Sequence, residues 1–225
     1  MEWKERPADV AVHITPGEPL TDLRRLHMWI GDLDEITVGG RLELLSLDER
    51  ERARLLADPG ERHRFLAACI FTREVMGQVT GVDPKDLRFL EGDFGRPELA
   101  PYRAPGEHPR GIRFGLSRSE RALVLGLTVG RDVGIGLEVV RPFEKLDQLA
   151  EAQFTEAQVR HLRSLSERDF LVEFCRLWTR REAIANLDGT AFLRPGHLPG
   201  RPARTTTFEF ALQDKLVVGS MAVRR

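Results

Sequence analysis

A glutamate beside a bare glycine, and an arginine and a glutamate on the apolar stripe of a helix, are the residues of this 225-residue chain best placed to do chemistry. In the stretch 133–140 a period of two sets Ile135, Leu137 and Val139 on one face, and Gly134, Gly136, Glu138 and Val140 on the other. Glu138 therefore stands next to a residue with no side chain. Further on, Phe170, Phe174, Leu177, Trp178 and Ala185 recur at helical spacing, and the stripe they form is centred near Arg181, with Glu182 at its edge. A guanidinium and a carboxylate on a buried face demand partners. Carboxylates so placed serve as acids, bases or cation ligands.

Other enzyme signatures fail on spacing. Gly134-Ile135-Gly136 lacks the third glycine of a dinucleotide loop, and Gly115-Leu116-Ser117-Arg118-Ser119 ends in serine where a nucleophile elbow needs glycine. Neither a Walker loop nor His-Glu-x-x-His occurs. The six histidines are scattered and read as surface or satisfied structural residues. Cys69 and Cys175 form neither a disulfide framework nor a zinc site, which points to the reduced cytoplasm. Thirty-four basic against thirty-five acidic side chains, with a pI near 6.6, exclude a global field that would gather nucleic acid or an anionic membrane. Any anion site must be local. With 41% hydrophobic and 31% charged residues the chain reads as a soluble globular protein. The first residues lack a signal-peptide core, and the most apolar stretch, 122–129, is too short to span a bilayer.

The elements that must position these residues follow from caps and periodicity. Residues 1–24, punctuated by Pro7, Pro16, Gly17 and Pro19, read as an extension forming a surface arm. A strand is expected at 26–33. Ser46 with Glu49 is a capping box opening a helix to about Leu56, closed by Pro59 and Gly60. A longer helix follows over 61–80 and stops at Gly81. Residues 112–117, 122–129 and 132–140 suggest a small antiparallel sheet. Caps at Thr155 and Ser166 start helices over 156–164 and 167–187, and 206–212 with 216–223 read as a hairpin. Strand, helices, strands, helices, strands gives an α+β class. The loop 193–205 carries Arg194, His197, Arg201 and Arg204 without an acid, either as a solvated loop or as a docking patch for an acidic partner.

At these positions the sequence resembles the phosphopantetheinyl transferases, specifically the large monomeric surfactin-synthetase-activating type. Phe174 to Ala183 with Gly189 is similar to the family's F-x-x-x-W-T-x-K-E-A helix, and Gly134 to Glu138 to its G-[VI]-D-[IL]-E strand. Phe114 to Ser119 resembles F-N-L-S-H-S, and Gly95-Arg96-Pro97 resembles G-K-P. Arg64-Phe65-Leu66-Ala67 with Arg73 matches the arginine-bearing helix, and residues 45–50 match the early helix. Order and spacing agree from about residue 26 onward. The resemblance implies two pseudo-symmetric α/β halves, 25–110 and 111–225, with coenzyme A in the cleft between them. It implies transfer of the phosphopantetheine arm from coenzyme A to a serine of an acyl or peptidyl carrier protein, leaving adenosine 3',5'-bisphosphate, as in secondary metabolism. The family's reaction uses a divalent cation at the pyrophosphate, held by the strand's Asp and Glu and the helix's Glu. Arg64, Arg73, Arg96, Pro97, Ser117, Arg118, Ser119 and Arg181 then line up as coenzyme-binding residues.

The departures fall at the centre of the pattern: the metal-binding Asp is Gly136, the S-H-S histidine is Arg118, the K-E-A lysine is Arg181, and a lysine one turn later is Asn186. Arginine still holds phosphate. Glycine holds no metal, and Glu138 and Glu182 are the ligands that remain. Two unscreened carboxylates repel, so Arg118 and Arg181 are expected to compensate them in a metal-free pocket. The leading expectation is a repurposed member that requires no cofactor. Glu138, Glu182, Arg181 and Arg118 would then run a metal-independent acid/base reaction, a cyclisation, elimination or isomerisation, on a coenzyme A-linked or carrier-tethered biosynthetic intermediate. A genuine transferase, using magnesium, and a non-catalytic binder of coenzyme A or carrier protein are the alternatives. Against all three stands a plain structural reading: Trp178 and Phe174 as core, Arg73 as a solvated helix residue, Arg96 as an ordinary turn, and the two glutamates as an ion-pair set with Arg118 and Arg181.

Overall fold

The computed structural model describes residues 1–7, 10–13, 25–91, 97–102, 111–142, 144–190 and 203–224. Along these the elements are β1 (Glu2–Glu5), β2 (Val10–His13), β3 (Leu26–Asp32), α1 (Leu47–Leu55), α2 (Pro59–Thr80), β4 (Phe89–Glu91), β5 (Pro97–Leu99), β6 (Ile112–Ser119), β7 (Ala122–Val129), β8 (Val133–Val139), α3 (Leu146–Gln153), α4 (Glu156–Arg163), α5 (Glu167–Asp188), β9 (Arg204–Leu212) and β10 (Lys215–Val223). The class is α+β, as the order of signals predicts.

Two four-stranded sheets, β1-β9-β10-β8 and β2-β3-β7-β6, stand beside a small β4-β5 pair. Period-two alternation decides which face each residue takes. Met28, Ile30 and Val124 from one sheet share a core with Ile135, Leu137, Phe208 and Phe210 from the other. On the outer face of the second sheet, Trp29, Leu123 and Leu125 pack against Ala67, Phe71 and Val75 of α2. Helix α5 covers the other sheet through Ala183 and Leu187 against Ala222.

Helix α2 begins earlier than periodicity predicts, because Asp58 is its N-cap, accepting from the Glu61 N–H at 2.7 Å, and Pro59 is its first residue. Proline suits that position, since its missing N–H would have no helical partner there. Ser166 caps α5, and left-handed Gly81 and Gly189 end α2 and α5.

Two expectations need correction. The first 24 residues are no surface arm where they are described: β1 pairs with β9, β2 pairs in parallel with β3, and Trp3 meets Phe208 and Phe210 edge-on. Residues 112–140 do not make one sheet, because β8 pairs with β10 while β7 pairs with β6 on one side and β3 on the other. Helix α3 is also present, although no cap signals it: its N-cap position is Lys145, which makes no side-chain capping bond.

Candidate active site

The site begins where α5 lies on the glycine face of β8. A Cβ built at Gly136 would overlap the Thr179 carbonyl oxygen and come within 2.9 Å of its carbon and 3.0 Å of the Ala183 nitrogen. One built at Gly134 would overlap the Ala183 carbonyl. Helix backbone thus fills the space a side chain would need. A side chain at position 136 would require α5 to shift away from β8.

The outer edge of β8 would otherwise leave backbone groups unpaired, and side chains serve it. Asn186 Nδ2 donates to the Ile135 carbonyl at 2.7 Å, the Leu137 N–H donates to Glu182 Oε2 at 3.2 Å, and the Val139 N–H donates to Ser119 Oγ at 3.1 Å. Strand β6 supplies the opposite wall. Ser117 donates to Glu182 Oε1 at 3.3 Å and Ser119 donates to Glu138 Oε1 at 2.6 Å. Strand alternation sets these two serines on one face of β6 and Arg118 on the other.

The two carboxylates are close enough to feel each other. Burial pushes the Glu182 carboxyl up to about 7; the Glu138 charge adds to the rise, and the Leu137 N–H and Ser117 bonds oppose it. Burial raises Glu138 as well, against the Ser119 hydrogen bond and the field of Arg141.

The arginines do not compensate these carboxylates as expected. Arg118 reaches Glu61 on α2 at 3.4 Å, half-exposed, because its strand position faces away from Ser117 and Ser119. Arg181 donates to Gln153 Oε1 at 3.3 Å, and its buried Nε has no hydrogen-bond partner among the described residues. The premise of a charge-compensated, metal-free pocket therefore falls on geometry. Arg64 pairs with Asp34 at 2.8 Å and Glu61 at 3.4 Å. Arg73 is 2% exposed, pairs with Glu49 at 2.9 Å, donates to the Pro84 and Leu87 carbonyls and lies over the Phe89 ring, so it is a buried structural cation and no solvated residue. Glu49 also closes the capping box with Ser46, which ties the early helix to α2. Arg96 lies outside the described residues, as does most of the basic loop 193–205, and Pro97 opens β5. Phe174 is core, stacked with Phe170 and Trp178.

On the far side of β6 a cavity of about 760 Å³ opens between α1, α2 and β4. Arg52, Lys85, Arg88 and Arg118 line it together with the acids Asp48, Glu49 and Asp86, and Leu116 and Phe65 add apolar surface. Arg52, Lys85 and Arg88 were not legible as site residues, because Arg52 lies in α1 and Lys85 and Arg88 lie some thirty residues on, between α2 and β4, with no motif joining them. The cavity also borders Cys69, whose thiol burial pushes up to about 12.

Among the described residues no three His, Cys, Asp or Glu side chains group as a metal site. Magnesium, however, commonly takes one or two carboxylates with substrate phosphates and water. Glu138 and Glu182 fit that demand. No helix of the described residues is long and apolar enough to cross a membrane.

No family model matches the chain. It is 32% identical over 189 residues to the 4'-phosphopantetheinyl transferase HetI of Nostoc sp., covering 81% of this chain and 78% of that protein. It is 22% identical over 154 residues to the 4'-phosphopantetheinyl transferase Sfp of Bacillus subtilis, 68% of this chain and 64% of that one. To the 4'-phosphopantetheinyl transferase AcpT of Escherichia coli K12 it is 34% identical over 100 residues, 44% and 48% of the two chains. These likenesses overturn the expectation that no cofactor is required. The relatives are transferases of the phosphopantetheine arm, and the family's reaction set out above draws on coenzyme A and a divalent cation.

Proposed function

The chain belongs to the phosphopantetheinyl transferase family, and we propose that it is a working member, moving the phosphopantetheine arm of coenzyme A to a serine of an acyl or peptidyl carrier protein. The observation that carries this reading is the meeting of Glu138 and Glu182, from different elements, at one edge of β8 with a serine under each. Those two carboxylates would hold magnesium together with coenzyme phosphates and water. When bound, the cation supplies charge neutralisation at the pyrophosphate. In the cavity beside β6, Arg52, Lys85, Arg88 and Arg118 outnumber the acids Asp48, Glu49 and Asp86 and offer donors to further phosphate oxygens. Neither a repurposed acid/base reaction nor a passive binder gains support, since the arginine compensation that motivated the former is not formed.

The reading includes two pseudo-symmetric halves with the coenzyme between them. It is supported by the matching build of α2 and α5, 22 residues each, side-chain capped at one end and closed by a left-handed glycine at the other, each on the outer face of its own sheet. A boundary near residue 110 would leave β6 and β7 hydrogen-bonded within the sheet of the first half.

Incubation with coenzyme A, magnesium and a panel of apo carrier proteins, read by intact mass, tests the function. The expected result is one phosphopantetheine added per carrier, lost on replacing the acceptor serine by alanine. No mass gain on any carrier, with a known transferase modifying the same panel, sinks the proposal.

A further inference from the structure

The serines of β6 touch the two carboxylates directly, and the hydrogen-bond directions are settled by the donors available. Ser119 Oγ accepts the Val139 N–H at 3.1 Å, so its own O–H is free to donate and does so to Glu138 at 2.6 Å. Glu182 is held on both oxygens, by the Ser117 hydroxyl on one and by the Leu137 N–H on the other. The two serines lie two residues apart on one strand face, a rise of ~7 Å, so each reaches a different carboxylate. Each carboxylate oxygen keeps lone-pair capacity beyond the single bond it accepts here. In this chain α5 packs directly on Gly136, where a Cβ would overlap the Thr179 carbonyl oxygen.

We propose that Ser117 and Ser119 are positioning residues that hold Glu182 and Glu138 as a two-carboxylate cradle for the divalent cation. This deepens the transferase reading and rests on it. Supporting hydrogen bonds of this kind are commonly worth ~10–100-fold in metal affinity or activity when removed.

Ser119 gives the clean test, since its side chain is only half-buried and threonine keeps the hydroxyl on a strand that tolerates β-branching. Magnesium binding to the wild type, Ser119→Ala and Ser119→Thr is measured by calorimetry in the presence of coenzyme A, beside thermal unfolding and the carrier assay. The expected result is at least ~10-fold weaker magnesium binding for Ser119→Ala, recovered to within a few-fold by Ser119→Thr. Unchanged magnesium affinity in Ser119→Ala, whatever its thermal stability, makes the serine merely structural and overturns the proposal; a wild type that binds no magnesium overturns it as well. A wild type that binds magnesium but modifies no carrier removes the transferase reading while the cradle stands.

Discussion

Glycine at position 136 reads in sequence as a lost ligand, but the structure gives it a second meaning: the backbone of α5 occupies the space its Cβ would take. Gly136→Asp should therefore cost stability, ~1–3 kcal/mol by the usual scale of overpacking, and should not raise transfer activity. Chemical denaturation beside the carrier assay checks both, and a variant as stable as the parent with higher turnover is the contrary finding. Glu182 gives a pH prediction. Its carboxyl sits at about 7 in the fold against an ordinary 4.5, so the folded state binds the proton more tightly. The stability this contributes is full below about 4.5 and fades as pH rises through about 7. In magnesium-free buffer Glu182→Gln should flatten the stability profile over that window and be the more stable protein at pH 8. A profile as steep as the parent's contradicts the burial that raises the group. Both thiols, Cys69 and Cys175, are pushed up to about 12 by burial, which leaves roughly one part in ten thousand as thiolate at pH 8. Iodoacetamide should label neither in the native protein and both after denaturation.

Arg73 shows how an element can claim a residue that motif reading assigns to a ligand. Its guanidinium joins Glu49 of α1 to α2 and to the carbonyls of Pro84 and Leu87, so three segments meet on one buried cation. Arg73→Ala should cost ~3–5 kcal/mol, because it strands Glu49 and two carbonyls, and unfolding by urea would show it. A loss within experimental error would return Arg73 to the coenzyme. Much of this scale was legible: the caps at Ser46, Thr155 and Ser166 place three helix starts correctly, and period two in β8 sets Glu138 beside Gly136. The same period in β6 already sends Arg118 away from Ser117 and Ser119. Arg118 therefore meets Glu61 of α2 and leaves the two glutamates without its charge. Helix α3 was hidden because its first turn begins at a left-handed lysine instead of a capping side chain.

Long-range pairing was the part the sequence concealed. β1 finds its partner about two hundred residues downstream, and β8 passes over its neighbour β7 to pair with β10. Such pairings rest on packing that a four-residue strand does not advertise. Trp3, edge-on to Phe208 and Phe210, fastens the N-terminus to the shared core, so Trp3→Ala should lower the unfolding free energy by ~1–3 kcal/mol. An unchanged denaturation midpoint would mean that β1 contributes nothing to the fold. At the same scale, the two sheets bring β6 and β8 edge to edge, and from that junction come the two carboxylates on which the proposed transfer depends. The decisive measurement is the magnesium-dependent transfer rate to one accepted carrier, by intact mass, for the wild type, Glu138→Gln and Glu182→Gln. Each glutamine keeps size and hydrogen bonding but removes a charge, so the expected result is a fall of ~100-fold or more in each variant with the fold intact by unfolding curve. Full transfer by both variants would show that the two glutamates only hold β8 to its neighbours.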